Sequence, residues 1–169
     1  MRGFVIGLAA LGLSACAANG TIPRNAATAE LMDAAQQKHG NVTVRPSGGR
    51  LRLVADVYGV AAGTYGIHVH AVGSCLGSDF KSAGPHWNPA MKQHGRDNPM
   101  GAHNGDLPNI VVGASGSGHL DATIPGSLVE LIDTDAASVV LHAAADDYRT
   151  DPTGNSGGRV ACGVLLRLP

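Results

Sequence analysis

Asn41-Val-Thr-Val-Arg45, Pro46-Ser-Gly-Gly49 and Arg50-Leu-Arg-Leu-Val-Ala-Asp-Val-Tyr58 decide the class of the fold. Apolar and polar residues alternate on both sides of a Pro/Gly segment, which is the period of a half-buried strand. Pro46 to Gly49 has hairpin-turn chemistry, so the stretch reads as two antiparallel strands. Composition agrees. The 169 residues include 24 glycines and only 4% aromatics. Tight turns around a core of Val, Leu, Ile and Ala suit an all-β chain, because Gly weakens helix interiors by about 1 kcal/mol relative to Ala.

Outward from this hairpin, Ala27 to Gln37 mixes alternation with good helix formers. A strand through Leu31-Met32, then a turn before His39-Gly40, is the favoured reading. Downstream, Gly66-Ile-His-Val-His70 is a further strand, with His68 and His70 on one face and Ile67 and Val69 on the other. From Ala71 to Asn109 periodicity disappears over 39 residues rich in Gly, Pro, Asn, His and Asp. A loop that long inside one domain is expected only where it is functional or clamped. Strands resume at Ile110-Val-Val112, His119 to Ile124, Ser127 to Leu131 and Ser138 to His142. A second irregular stretch spans Ala143 to Gly158, and Val160 to Leu168 closes the chain. About eight short strands and two long functional loops indicate one antiparallel sandwich or barrel.

The N-terminus reads as a targeting segment. Arg2 precedes the ten-residue apolar run Phe4 to Leu13, the length of a signal-peptide core and too short to span a bilayer. Leu13-Ser14-Ala15-Cys16 resembles a bacterial lipobox, in which the Cys carries lipid and becomes the mature N-terminus. An ordinary secretory signal is the alternative. Residues 1–15 are therefore expected to be a lipoprotein-type signal peptide, 16–26 a tether and 27–169 the folded domain. Lipid on Cys16 would leave Cys75 and Cys162 as an even pair, able to form a disulfide in an oxidising compartment. The expected location is the bacterial periplasm, anchored to a membrane through Cys16. Ala17 lacks the Asp that often retains lipoproteins at the inner membrane, so the outer membrane is favoured. The net charge of −1 gives no ground for a nucleic-acid partner.

Six of the eight histidines lie in or beside the irregular middle: His68, His70, His86, His94, His103 and His142. A lone His is usually a surface or satisfied core residue. Six gathered in one region point to metal, since imidazole is the commonest ligand near neutral pH. His86, His94, His103 and Asp106 offer three nitrogens and one oxygen, the donor set of a closed tetrahedral Zn²⁺ site. A metal would organise a loop that has no core of its own.

Gly66-Ile-His-Val-His70, Gly84-Pro-His-Trp-Asn-Pro89, His94-Gly95, His103-Asn-Gly-Asp106, Val139-Val-Leu-His142 and Gly157-Gly-Arg-Val-Ala-Cys-Gly163 closely resemble the ordered signatures of Cu/Zn superoxide dismutases. From His70 the steps are 16, 8, 9, 3 and 36 residues, ending at His142. The resemblance covers Ala27 to the C-terminus and implies an eight-stranded antiparallel Greek-key fold. It implies one copper per chain on His68, His70, His86 and His142, and one zinc on His86, His94, His103 and Asp106. His86 would bridge the two. Asp146 would join a copper-side His68 to a zinc-side His94. Arg159 would attract and orient superoxide, Thr153 would line the same channel, and Cys75–Cys162 would be the family disulfide. His39 and His119 match no ligand position.

The implied reaction converts superoxide to O₂ and H₂O₂, with His86 carrying a proton and zinc in a structural role. That activity would protect the cell envelope. A copper-delivery or metal-buffering module on the same fold is the alternative, and a metal-free adhesion-type sandwich the blandest one. The segment Asp146 to Asn155, expected to wall the channel, holds three aspartates against Arg149, so little cationic steering is expected from it. The resemblance allows either a monomer or a homodimer.

Overall fold

The computed structural model describes residues 25–168. The expected signal peptide, Cys16 and all but the end of the expected tether lie outside the described residues. Within them the Asn41–Tyr58 run folds as its alternation predicts: β2 (Lys38–Ser47) pairs antiparallel with β3 (Arg50–Tyr58) from Gly40↔Val57 to Ser47↔Arg50. Val42, Val44, Leu51, Leu53, Ala55 and Val57 point inward and are buried. The turn is tighter than expected. Only Gly48 and Gly49 lie outside the strands, with φ of 57° and 75°, the left-handed pair of a two-residue type I′ connection.

β1 (Ala27–Met32) pairs with β2, resolving the helix–strand ambiguity in favour of the strand. It ends where Asp33 Oδ1 accepts the backbone N–H groups of Ala35 and Gln37, an Asx-type turn. The remaining strands are β4 (Gly63–Tyr65), β5 (Ile67–His70), β6 (Ile110–Val112), β7 (Ser117–Ile124), β8 (Ser138–His142), β9 (Arg159–Val164) and β10 (Leu166–Arg167). All pairings are antiparallel, in the order β4-β6-β7-β3-β2-β1-β9-β8-β5, with β10 also on β1. The two ends of that order, β4 and β5, are separated in sequence by Gly66 alone, so the sheet nearly closes into a barrel. Non-consecutive neighbours such as β7–β3 and β9–β1 give it Greek-key connectivity.

Ser127–Leu131, expected as a strand, is instead the single-turn helix α1 (Leu128–Leu131). The Ser127 hydroxyl accepts the Glu130 N–H while the Glu130 carboxylate accepts the Ser127 N–H, a capping box. The capped turn still buries Leu128 and Leu131, so the apolar spacing that suggests a strand serves a helix equally well.

Strands β5 and β8 differ from the others because both of their faces are buried. Ile67, Val69, Val139 and Leu141 belong to the main core. On the opposite face, Val140 joins Phe80, Ala83 and Cys162, with Cys75 packed against them, in a second small cluster. The disulfide Cys75–Cys162 lies there and ties the Ala71–Asn109 segment to β9. That covered face also carries the histidines.

Candidate metal centre

β5 places His68 and His70 outside the barrel, and the long loop docks on its free edge. Ala71 N–H donates to Pro85 O, Trp87 N–H to Val69 O and Val69 N–H to Gly105 O, at 2.8–3.0 Å. These bonds set His86 opposite His70 and Asp106 opposite His68. Gly105 is required here, because a Cβ at that position would run into the Val69 carbonyl oxygen. β8 delivers His142 beside β5, where Gly66 O accepts the His142 N–H.

Two buried four-residue donor groups result, His68–His70–His86–His142 and His86–His94–His103–Asp106, each with its ligand atoms within 4.8 Å of one another; the smaller set His68–His94–Asp146 joins them. In the second group Asp106 Oδ1 lies 3.0 Å from His86 Nδ1, 3.0 Å from His94 Nδ1 and 3.3 Å from His103 Nδ1. His86 Nδ1 and His103 Nδ1 are 3.4 Å apart. A tetrahedron of N and O donors at zinc distances has edges of roughly 3.3 Å, so these separations fit Zn²⁺. Asp106 Oδ2 is held separately by the N–H groups of Gly95 and His103.

The first group is oriented by what its outer nitrogens touch. His68 Nε2 donates to Asp146 Oδ2 at 2.8 Å and His70 Nδ1 donates to Gly84 O at 2.9 Å. His142 Nδ1 reaches Gly157 O at 3.4 Å. The opposite nitrogens are then lone-pair acceptors turned toward each other: His70 Nε2 and His142 Nε2 are 3.4 Å apart. His68 Nδ1 and His86 Nε2 are buried with no hydrogen-bond partner at all. Buried polar atoms left unpaired are costly. Four converging lone pairs need a cation, and four imidazole nitrogens suit copper.

The electrostatics of the first group carry the same message. Burial pushes the His70 imidazole down to about 2, with His86 adding to the effect. Burial likewise pushes His86 and His142 down to about 4, so all three are neutral at pH 7 and able to ligate. His68 is lowered chiefly by burial. His94 goes the other way: burial opposes its charge, but Asp106 and Asp146 outweigh burial and hold it at about 9. Both carboxyls lie well below the usual range; burial works against this, and their imidazole partners prevail.

Asp146 lies where the resemblance puts it, between His68 Nε2 at 2.8 Å and His94 Nε2 at 3.0 Å. Its backbone is clamped by Asn109, which donates to Asp146 O and accepts the Asp146 N–H. Sequence reasoning missed Asn109; nothing in its local context marks it. Arg159 donates through Nη1 to Phe80 O and through Nη2 to Gly84 O, each at 2.7 Å. With Thr153 it lines a cavity of about 670 Å³ that opens onto His86 and His103. Asp151, from the tract expected to wall the channel, lines the same cavity; Lys92, Asp133 and Asp135 line it too and were missed, while Asp146, Asp147 and Arg149 of that tract are not part of its lining. His39 and His119 stand apart, paired with Asp33 at 3.0 Å and Asp56 at 2.7 Å.

The sequence model described as copper/zinc superoxide dismutase (SODC) matches residues 38–165, and the chain belongs to that family. A superoxide dismutase [Cu-Zn] of Deinococcus radiodurans is 39% identical, with 97% of this chain and 96% of that protein covered. The superoxide dismutase-like protein YojM of Bacillus subtilis is 47% identical over 107 residues, 60% of this chain and 55% of its own length. A crystal structure of a SOD-like protein from Bacillus subtilis superposes with a TM-score of 0.78 at 35% identity, covering 82% of this chain and 97% of that one. Copper and zinc are the metals of the family, and the two donor groups match both.

Proposed function

We propose that this chain dismutates superoxide, holding copper on His68, His70, His86 and His142 and zinc on His86, His94, His103 and Asp106. The observation that carries this reading is His86. Its Nδ1 belongs to the tetrahedral group, while its Nε2 is buried, unpaired and one of the four nitrogens of the other group. When bound, copper supplies the one-electron couple between two superoxide ions and zinc supplies fixed charge beside it.

The chain's own residues do the rest. The Arg159 guanidinium, pinned by two carbonyls, presents fixed positive charge to an anion entering the cavity. His86 Nε2 is the atom that holds and hands over a proton, since two superoxide ions and two protons give O₂ and H₂O₂. Burial keeps the ring from resting as an imidazolium, and with Nδ1 against Asp106 the nitrogen left without a partner is Nε2. Asp146 and Gly84 O fix the rings of His68 and His70, so the site is rigid before the anion arrives.

The alternative is copper delivery or buffering on the same fold. The three aspartates of the cavity favour it, because they do not attract an anion. One experiment separates the readings: copper and zinc per disulfide-intact chain, with superoxide decay before and after chelation. One of each metal and chelator-sensitive decay are expected. Bound copper without dismutation would select the delivery reading, and absence of stoichiometric metal would refute both.

The same proposal places the protein in the periplasm, anchored through lipid on Cys16. The disulfide supports it by using the other two cysteines of the chain's three and by its need for an oxidising compartment. Incorporation of a labelled lipid precursor that persists in Cys16→Ser would sink the anchor.

A further inference from the structure

We propose that Asp151 is a positioning residue for the zinc site, acting through His103, and that it couples zinc occupancy to the wall of the substrate cavity; this rests on the zinc assignment above. Asp151 Oδ1 accepts the His94 N–H at 2.5 Å and lies 3.8 Å from His103 Nε2. One carboxylate oxygen thus faces two residues of the zinc group from a distant part of the chain. A merely solvated loop charge would have no such pair of neighbours.

His103 needs such a partner. Its Nδ1 faces Asp106 and His86, so Nδ1 must keep its lone pair for the metal and Nε2 must carry the proton. Negative charge beside the outer N–H fixes that tautomer and raises the basicity of the inner nitrogen. His94 has Asp146 in this role at 3.0 Å. Asp151 is the carboxylate placed to do the same for His103, whose ring borders the cavity rather than the sealed interior. At 3.8 Å the coupling is one of charge rather than a direct hydrogen bond.

The consequence reaches the cavity. Pro152 and Thr153 follow Asp151 directly, and all three line the space beside His86, His103 and Arg159. Zinc drawn tightly by His103 therefore also holds the chain that carries Thr153.

Asp151→Asn isolates the effect, because the amide oxygen can still accept the His94 N–H while the charge facing His103 is lost. In the full disulfide-intact chain, chelator competition should show a zinc dissociation constant raised about tenfold. Co(II) placed in the zinc site should show shifted d–d bands, and Asp151→Glu should restore both readouts. Asp147→Asn is the control: Asp147 accepts from Arg149, Thr150 and Asn155 in the same loop without touching a ligand. It should leave the Co(II) bands in place. The metal-free melting temperature of Asp151→Asn should match the parent to about 2 °C. Zinc affinity within about twofold of the parent, equal band shifts in Asp147→Asn, or an equal loss in the metal-free melt would each overturn the proposal. If His103→Ala binds zinc as the parent does, the zinc assignment itself has failed and the proposal falls with it.

Discussion

His86 stands 3.0 Å from Asp106 Oδ1 through Nδ1, while its opposite nitrogen is buried without a partner. One ring therefore belongs to two donor groups, and removing it should disturb both metals. His86→Ala is expected to lower copper and zinc content together and bring superoxide decay to background. His103→Ala should lower zinc alone, because His103 belongs only to the second group. Metal analysis after dialysis against a chelator checks both, and His86→Ala with full metal and full activity would defeat the bridging role.

The disulfide is expected to stabilise chiefly by restricting the unfolded chain. Cys75 and Cys162 are 87 residues apart, for which loop-closure entropy gives about 4–5 kcal/mol. Its place in the Phe80–Ala83–Val140 cluster adds a local role, since Phe80 O and Gly84 O hold Arg159. Cys75→Ser/Cys162→Ser should therefore lose several kcal/mol in denaturant titration and also lose activity per bound copper. Unchanged activity per copper would show that Arg159 stays in place without the bond.

Metal-free stability should peak near pH 6.5, with different groups setting the two sides. His70, His86 and His142 have folded values of about 2, 4 and 4, below the ordinary 6.5. As pH falls from 6.5 toward 4 the unfolded chain takes up these protons and the folded chain does not, so stability drops. His94, held at about 9, behaves oppositely. Its contribution is complete below pH 6.5 and is lost as pH rises through 9. Asp106 and Asp146 matter only below about pH 4, where their depressed values come into play. The acid arm, shared by three histidines, should be the larger of the two. Denaturant midpoints of the metal-free, disulfide-intact protein at pH 5, 6.5 and 9 test this; a flat profile would contradict the buried, paired geometry.

The barrel was legible wherever a strand has one wet face, as in Val42–Val44 and Leu51–Val57, because burial then imposes a period of two. The metal groups were legible for a chemical reason: six histidines and Asp106 have few other uses at such intervals. β4 was not, since three residues show no period. Asn109, Lys92, Asp133 and Asp135 were not either. Their roles arise from tertiary approach: Lys92 and Asp133 come from separate segments and share only the space they line. Ser127-x-x-Glu130 did carry a cap signal, overshadowed by the apolar spacing around it.

That assembled cavity makes a prediction about salt. Asp133, Asp135 and Asp151 face it against Lys92 and Arg159, so positive and negative charges nearly cancel at its mouth. Electrostatic steering accelerates association only when the field at the mouth favours the approaching ion, and salt then slows the reaction by screening it. Here kcat/KM for superoxide should change less than about twofold between roughly 10 and 150 mM ionic strength. Neutralising two of the opposing charges should expose the cations: Asp133→Asn/Asp135→Asn should raise kcat/KM a few-fold at low salt and make it fall as salt is added. These two aspartates belong to neither donor group, so metal content should stay constant and any change is one of approach. A steep fall with salt in the parent protein would mean that Lys92 and Arg159 dominate the field, and that the aspartates are screened from the anion's path.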